Sequence, residues 1–410
     1  MLFVFQLLEW LEESKQFDFV ERDYASRLDL VAKTRGLQEA ENYIDEVPES
    51  FKGEVVYRTL LANCVTVSNV KKAEEVFCKM RDLGLPLSAF AYNQLLLLYR
   101  RINRRKIPDV LLMMEKDNVK PSLFTYMILI DAKGLAKNIA GMESILESMK
   151  TEGVALDNAC RAMVAGHYIS AGLNEKAEET LKDIELDFKE NTDAWKFLLP
   201  LYAALHRVDD VKRVWKSCEA VACVDDFKAA IEACGKVGLV EDAEKVFEKM
   251  RQKWKKVPPR CYNALLNVYA DHKLLSKGKD LARKMSEAGC WIGPLTWDAL
   301  VKLFAKAGEV KKADSVLEIA VQKKGNRPLY RSYIALLEKY SEMGDVYNAE
   351  KIFHWLKEAE YPRRVRQYVL LAEAYKNAKA PAYGLRERMK AENVYPDKQF
   401  SAELQALANL

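Results

Sequence analysis

The chain has 410 residues, of which 50% are hydrophobic and 30% charged, and its 64 basic and 60 acidic residues leave a formal charge of +4. That composition is ample for an ordered protein, and no window is apolar for the length that a membrane span requires, which excludes a helical membrane protein. So small a net charge permits nucleic-acid binding without requiring it, and local clusters must decide. The eight cysteines are scattered without a C-x-x-C pair, which argues against a zinc site or disulfide framework and for a reducing compartment, with most of the thiols as small core residues.

Residues 1–18 open the chain with Leu7, Leu8, Trp10 and Leu11 against Glu9, Glu12 and Glu13, the pattern of an amphipathic helix. The segment is too acidic for a transit peptide, so the chain is expected to be either cytosolic or an organellar protein with its transit peptide removed. From residue 19 to 397 one helical pattern recurs at about 35 residues. It reads NVKKAEEVFCKMRDLG at 69–84, GLVEDAEKVFEKM at 238–250, GEVKKADSVLEIA at 308–320 and GDVYNAEKIFHWL at 344–356. Periods of this size belong to stacked helical hairpins, each burying its apolar face only against its neighbours. The fold class is therefore all-α, a solenoid of about eleven helix-turn-helix hairpins.

Within one unit, Ala73, Val76, Phe77 and Met80 fall at i, i+3, i+4 and i+7 and define the buried stripe of a second helix, while Lys71, Lys72, Glu74, Glu75 and Lys79 are expected to stay in water. Gly84 caps that helix, Pro86 prevents its continuation, and Asn69 closes the turn inside the hairpin. The small residue at the middle of the second helix (Ala40, Ala73, Ala177, Ala243, Gly278, Ala313, Ala349) marks close helix packing. The aromatics Tyr57, Tyr92, Tyr126, Trp195, Phe227, Tyr262, Trp297, Tyr333 and Tyr368 mark the first helices and belong to the core. They predict hairpin starts near Glu21, Glu54, Ala89, Leu123, Asn158, Thr192, Val224, Pro259, Pro294, Tyr330 and Val365. The array is irregular around 158–223 and 378–397, and 398–410 remains as a C-terminal tail.

The openings Tyr92-Asn93-Gln94-Leu95-Leu96 and Tyr262-Asn263-Ala264-Leu265-Leu266, followed by Gly or Asn, A-E-x-V-F-x-K-M and G-x-x-P, resemble the pentatricopeptide repeat, and specifically its pure-repeat P-type branch of plant organelles. The resemblance implies a right-handed superhelix whose first helices line a groove for single-stranded RNA, one repeat facing one base. It implies that the base is read by the residue after the marker aromatic together with the last residue of the repeat, with an apolar side chain two residues before the marker beside it. Carried over residue by residue, this assigns Asn93 with Ser122 and the flanking Phe90, a pyrimidine-reading combination; Met127 with Asp157 and Phe124, half of a pair; and Asn263 with Gly293, which offers no side chain. The remaining first reading positions are Ala25, Arg58, Ala162, Lys196, Lys228, Asp298, Ile334 and Val369, a poor code.

Arg58, Lys196, Lys228, Arg260, Arg331 and Arg366 fall where the groove is expected, and cations there meet phosphates rather than base edges. Two further basic clusters are candidate phosphate contacts. One is Arg100, Arg101, Arg104, Arg105 and Lys106 in the turn of the third hairpin; the other is Lys253, Lys255 and Lys256 around Trp254, whose ring suits stacking on a base. Catalytic signatures are missing. The four histidines sit in no H-x-E setting, no Gly-rich phosphate loop follows a strand, and Asp209-Asp210 and Asp225-Asp226 read as solvated helix starts rather than acid/base pairs. The expectation is a non-catalytic protein without metal, cofactor, membrane or small-molecule substrate, whose partner is single-stranded RNA. The alternatives are a structural subunit of an organellar ribosome or other ribonucleoprotein, and a protein-interaction scaffold. On family habit the compartment is the mitochondrion, ahead of the chloroplast.

Overall fold

The structure, a computed structural model, describes residues 10–12, 18–187, 194–323, 327–382 and 384–408. The chain divides into two compact units, one ending at Asp187 and the other taking the rest. In the first unit the helix pairs are α1 (Glu21–Thr34) with α2 (Leu37–Glu46), α3 (Glu54–Thr66) with α4 (Val70–Asp82), α5 (Ala89–Ile102) with α6 (Ile107–Lys116), α7 (Leu123–Leu135) with α8 (Ile139–Thr151), and α9 (Asn158–Ser170) with α10 (Asn174–Asp187). In the second they are α11 (Trp195–Ala204) with α12 (Val208–Cys218), α13 (Val224–Lys236) with α14 (Val240–Lys253), α15 (Pro259–Asp271) with α16 (Leu275–Glu287), α17 (Pro294–Lys306) with α18 (Val310–Gln322), α19 (Tyr330–Met343) with α20 (Val346–Glu358), and α21 (Val365–Asn377) with the short α22 (Leu385–Ala391), closed by α23 (Lys398–Ala408).

Ten of the expected hairpin starts coincide with helix starts; the sixth hairpin begins at Trp195 of α11 instead of Thr192, which lies outside the described residues. Of the expected N-terminal helix only 10–12 is described, and there Glu12 accepts from the Tyr43 hydroxyl at 3.0 Å. Residues 398–408 form a helix that buries Phe400, Leu404 and Leu407 in the core of the second unit, against α21 and α22.

The repeat packs as its stripe dictates. In each unit the first helices lie side by side in one layer and each second helix packs on its own first helix, while α2, α4, α12, α14, α16, α18 and α20 also pack on the next first helix. The recurrent small positions Ala40, Ala73, Ala177, Ala243, Ala313 and Ala349 are fully buried, and a Cβ on Gly278 would come within 2.3 Å of Leu303 Cδ2. The Phe of the A-E-x-V-F pattern meets the marker aromatic of the following repeat edge to face: Phe77 with Tyr92 at 5.2 Å, Phe247 with Tyr262 at 5.1 Å and Phe353 with Tyr368 at 5.0 Å between centroids.

Asn69 closes its turn by donating its N–H to Cys64 O at 3.0 Å, and with φ −84° it caps α4 by accepting from Lys72 N at 3.1 Å, while the left-handed residue of the turn is Ser68 at φ 59°. Lys137, His206 and Lys273 adopt the same conformation in the corresponding turns, where other repeats have Gly172, Gly238, Gly308 and Gly344.

The expectation that Lys72 and Glu74 stay in water is corrected. Lys72 pairs with Glu41 of the preceding repeat, while Glu74 accepts from the Tyr99 hydroxyl and pairs with Lys106 at 2.6 Å, both of the following one. The clamp repeats at Glu143 with Tyr168 (3.1 Å) and Lys176 (2.6 Å), and at Glu350 with Tyr375 (2.9 Å) and Arg388 (2.8 Å). The conspicuous Glu of the motif is thus a fastener between repeats.

Lys106, and then Tyr99, hold the Glu74 carboxyl below its ordinary value. A carboxyl so depressed stabilises the fold fully above the ordinary carboxylate range of about 4.3, and that contribution is lost as pH falls through its folded value. Glu74→Gln should therefore melt below the parent at neutral pH, with the gap closing as pH falls through the folded value of the Glu74 carboxyl, below which both carry an uncharged group. A gap independent of pH in calorimetry would show that the carboxylate charge is irrelevant to the clamp.

Candidate nucleic-acid interface

The layer of first helices presents one set of side chains per repeat, because equivalent positions one period apart lie next to each other across neighbouring helices. In α5 the marker Tyr92 points into the core, and the next residue, Asn93, turns toward the neighbouring α7, whose N-cap is Ser122. Asn93 Nδ2 donates to Ser122 Oγ at 3.4 Å, so the two residues assigned to base reading do meet. Ser122 is fixed by a second duty, accepting from Thr125 N at 3.2 Å while its own N–H donates to Thr125 Oγ1 at 3.0 Å. Asn93 is only 4% exposed, and its Oδ1 accepts no hydrogen bond among the described residues. The flanking Phe90 and the equivalent Phe124 of α7 are 42% and 48% exposed, and the Arg58 guanidinium lies 5.4 Å from the Phe90 ring centroid.

The other assigned pairs are less complete. Met127 is half-buried, and Asp157 is exposed and occupied as the N-cap of α9, accepting from Cys160 N at 2.7 Å. Asn263 repeats the environment of Asn93: it is buried and its Oδ1 has no partner among the described residues. At Gly293 a Cβ would lie 2.3 Å from the Trp291 ring, so that indole occupies the direction in which a second reading side chain would point. Asp298 is fully buried and held on three sides, by Ser332 Oγ at 2.9 Å, Lys302 Nζ at 2.9 Å and Arg331 Nε at 2.6 Å.

Most of the expected phosphate-binding cations already have carboxylate partners. Arg58 pairs with Glu54 at 3.3 Å, Lys228 with Glu232 at 2.8 Å, Arg260 with Asp225 at 2.8 Å, and Arg366 with Glu338. Lys196 is exposed on α11 and helps to hold the Asp226 carboxyl low. The reading of Asp225-Asp226 as solvated residues is corrected for Asp226, which is buried, whereas Asp225 is exposed and pairs with Arg260. Burial, the largest single influence, would raise the Asp226 carboxyl, but hydrogen bonds from the Cys223 N–H (2.8 Å), the Cys223 side chain and Trp195, together with Lys196, outweigh it and the net shift is downward.

In the third hairpin Arg100 pairs with Asp131, which also takes His167 Nε2 at 3.0 Å, and Arg104 Nε donates to Arg100 O at 3.3 Å. Lys106 belongs to the Glu74 clamp, which leaves Arg101, Arg104 and Arg105 as the exposed members of that cluster without a carboxylate among the described residues. In the last cluster Lys253 Nζ donates to Ala222 O at 3.1 Å, and Trp254 packs edge-on against Phe227 at 5.2 Å. Lys255 and Lys256 are exposed and make no ion pair among the described residues.

Among the described residues no group of histidines, cysteines and carboxylates could hold a metal, and no helix is long and apolar enough to cross a membrane. Burial pushes the thiols of Cys64, Cys160, Cys234 and Cys261 up to about 11, so they are neutral packing groups at physiological pH. What the layer offers is polar amide edges, exposed aromatic faces and guanidinium groups, which can hydrogen-bond, stack and pair with anions.

Known families account for three stretches of the chain. The model of the pentacotripeptide-repeat region of PRORP matches residues 216–361, that of the pentatricopeptide repeat domain 109–156, and that of the single PPR repeat 55–85. The chain belongs to the pentatricopeptide repeat family. Two mitochondrial pentatricopeptide repeat-containing proteins of Arabidopsis thaliana are 54% and 53% identical to it over 400 residues, covering 97% of this chain and 67% of theirs. A third from the same plant is 49% identical over 401 residues, covering 97% of this chain and 66% of its own. The chain thus spans about two thirds of the length of these curated relatives, all three of which are mitochondrial, the compartment that the resemblance put first. The crystal structure of the pentatricopeptide repeat protein PPR10 with an 18-nt psaJ RNA element aligns over 98% of this chain and 63% of that one, at 16% identity and a TM-score of 0.48.

Proposed function

We propose that this protein is a non-catalytic binder of single-stranded RNA in the mitochondrion, acting in transcript stabilisation, processing or translation by holding an RNA segment so that it can neither pair nor be digested. The observation that carries this reading is the contact between Asn93 and Ser122 beside exposed Phe90, with Asn93 Oδ1 left without a hydrogen bond among the described residues. A buried acceptor without a donor costs about 1–3 kcal/mol, and a base N–H that reaches it recovers that cost. Uracil and cytosine both carry such a donor on their pairing edge, and a purine would bring a second ring against Phe90. Phe90 and Phe124 supply apolar faces on either side of that position.

The test is selection from a randomised single-stranded RNA pool with the full chain at physiological salt. We expect one position enriched in pyrimidine, and Asn93→Ala should relax the preference there by about 1–3 kcal/mol of discrimination while leaving the other positions unchanged. Selectivity untouched by Asn93→Ala would remove Asn93 from base reading.

A second reading is favoured by the pairing of Arg58, Lys228, Arg260, Arg331 and Arg366 with carboxylates, which leaves little free charge for phosphate. Such a surface suits a structural subunit of an organellar ribosome or other ribonucleoprotein, held by many shallow contacts. Co-sedimentation with ribosomes through moderate salt would favour this second reading, and release by single-strand nuclease the first.

A further inference from the structure

One repeat lacks half of its reading pair, and the structure puts something else in that place. Asn263 sits where Asn93 does, but its partner position is Gly293, and the ring of Trp291 lies in the direction that Gly293's missing side chain would take, 2.3 Å from an added Cβ. Trp291 is 67% exposed, so one face of the indole is open to solvent. The ring also lines a cavity of about 490 Å³ whose other walls include Arg251, Lys255, Lys256 and Tyr262, with no carboxylate among its lining residues. Arg251 is shared with Glu248 at 3.1 Å, whereas Lys255 and Lys256 carry no ion pair among the described residues. Trp254, the aromatic that the sequence places among these lysines, packs its own ring on Phe227 and beneath Lys253, 4.9 Å from its centroid. The exposed aromatic of the cluster is therefore the one contributed by the next inter-repeat loop.

We propose that Trp291 is a stacking platform for a nucleobase facing Asn263, and that Lys255 and Lys256 hold the adjoining phosphate. The inference rests on the RNA-binding reading above. It follows from a division of labour. Asn263 Oδ1, buried and without a donor among the described residues, offers one hydrogen bond to the base edge. Gly293 contributes no side chain, and the indole replaces edge readout by a face that accepts any base. The unshielded lysines supply the charge that the paired cations of the layer lack. This position grips without discriminating, in contrast to Asn93 with Ser122.

The experiment measures affinity of the full chain for labelled oligouridylate and oligoadenylate as a function of salt. Trp291→Ala should weaken both by about tenfold with an unchanged salt slope, and Trp291→Phe should restore most of the loss, because stacking is indifferent to charge and to base identity. Lys255→Gln with Lys256→Gln should instead flatten the slope by about one unit. Trp291 is exposed, so the melting curve of Trp291→Ala should match the parent and separate loss of stacking from loss of fold. Parent-like affinity of Trp291→Ala overturns the platform while RNA binding stands. Displacement of the probe by oligoglutamate as readily as by unlabelled RNA overturns it too, since the pocket would then answer to charge alone. A parent chain that binds neither oligonucleotide overturns the RNA reading and the platform with it.

Discussion

Phe353→Ala is expected to lower the stability of the second unit by about 3–5 kcal/mol, the range for truncating a buried aromatic. Phe353 is buried on α20, meets Tyr368 of α21 edge to face, and has the guanidinium groups of Arg363 and Arg388 at 4.7 and 5.0 Å from its ring centroid. Arg388 reaches it from α22 while holding Glu350 of α20 with two hydrogen bonds, at 2.8 and 3.0 Å. One ring thus joins the last three repeat helices. In a stack where each repeat touches only its neighbours, losing such a joint should uncouple α21, α22 and α23 before the rest. Hydrogen exchange should then show lost protection across 365–408 and parent-like protection in the first unit. Tyr347→Ala, which removes an exposed ring from the same helix, should change neither stability nor exchange. A Phe353→Ala chain that melts within about 1 kcal/mol of the parent would mean that the interface repacks around the gap.

How much of this was legible beforehand differs by physical cause. The helix starts, the small residues of the second helices and the burial of the marker aromatics were legible because each follows from local periodicity and from one packing contact repeated along the chain. The meeting of Asn93 and Ser122 was also legible, through the resemblance. The fate of the charges was not. Whether Arg260 faces a phosphate or Asp225 depends on the lateral register of α13 and α15, which no helical period encodes. The same holds for the motif Glu at Glu74, Glu143 and Glu350, which reads as a solvated surface residue until Tyr99, Tyr168 and Tyr375 are placed opposite it. Trp291 is illegible for a different reason: the spacing points to Gly293 itself, and a ring that folds back from two residues earlier has no signature in spacing.

Asp298→Asn is expected to act in opposite directions on stability and on RNA affinity, and that opposition separates the two roles open to this position. By its place after Trp297 the residue belongs to the base-reading column, but its carboxylate is fully buried and shared by Ser332, Lys302 and Arg331. A side chain so engaged organises the joint between α17 and α19. Asparagine keeps the acceptor for Ser332 and removes the charge that holds the two cations. Arg331 is half-exposed and Lys302 retains some access to water, so neither becomes a stranded buried charge, and the cost should be about 1–3 kcal/mol, below that of breaking a fully buried pair. The released cations become available to phosphate, and each contact adds about 0.7 to the slope of log affinity against log salt for a single strand. Tighter binding at low salt, a slope steeper by about one unit and an unchanged base preference are the expected outcome. If Asp298 read a base instead, the same substitution would change the selected sequence at one position and leave the slope alone. Calorimetry and salt titration on one variant therefore decide whether the acidic member of this column is part of the recognition surface or a restraint that keeps its neighbouring cations from the strand.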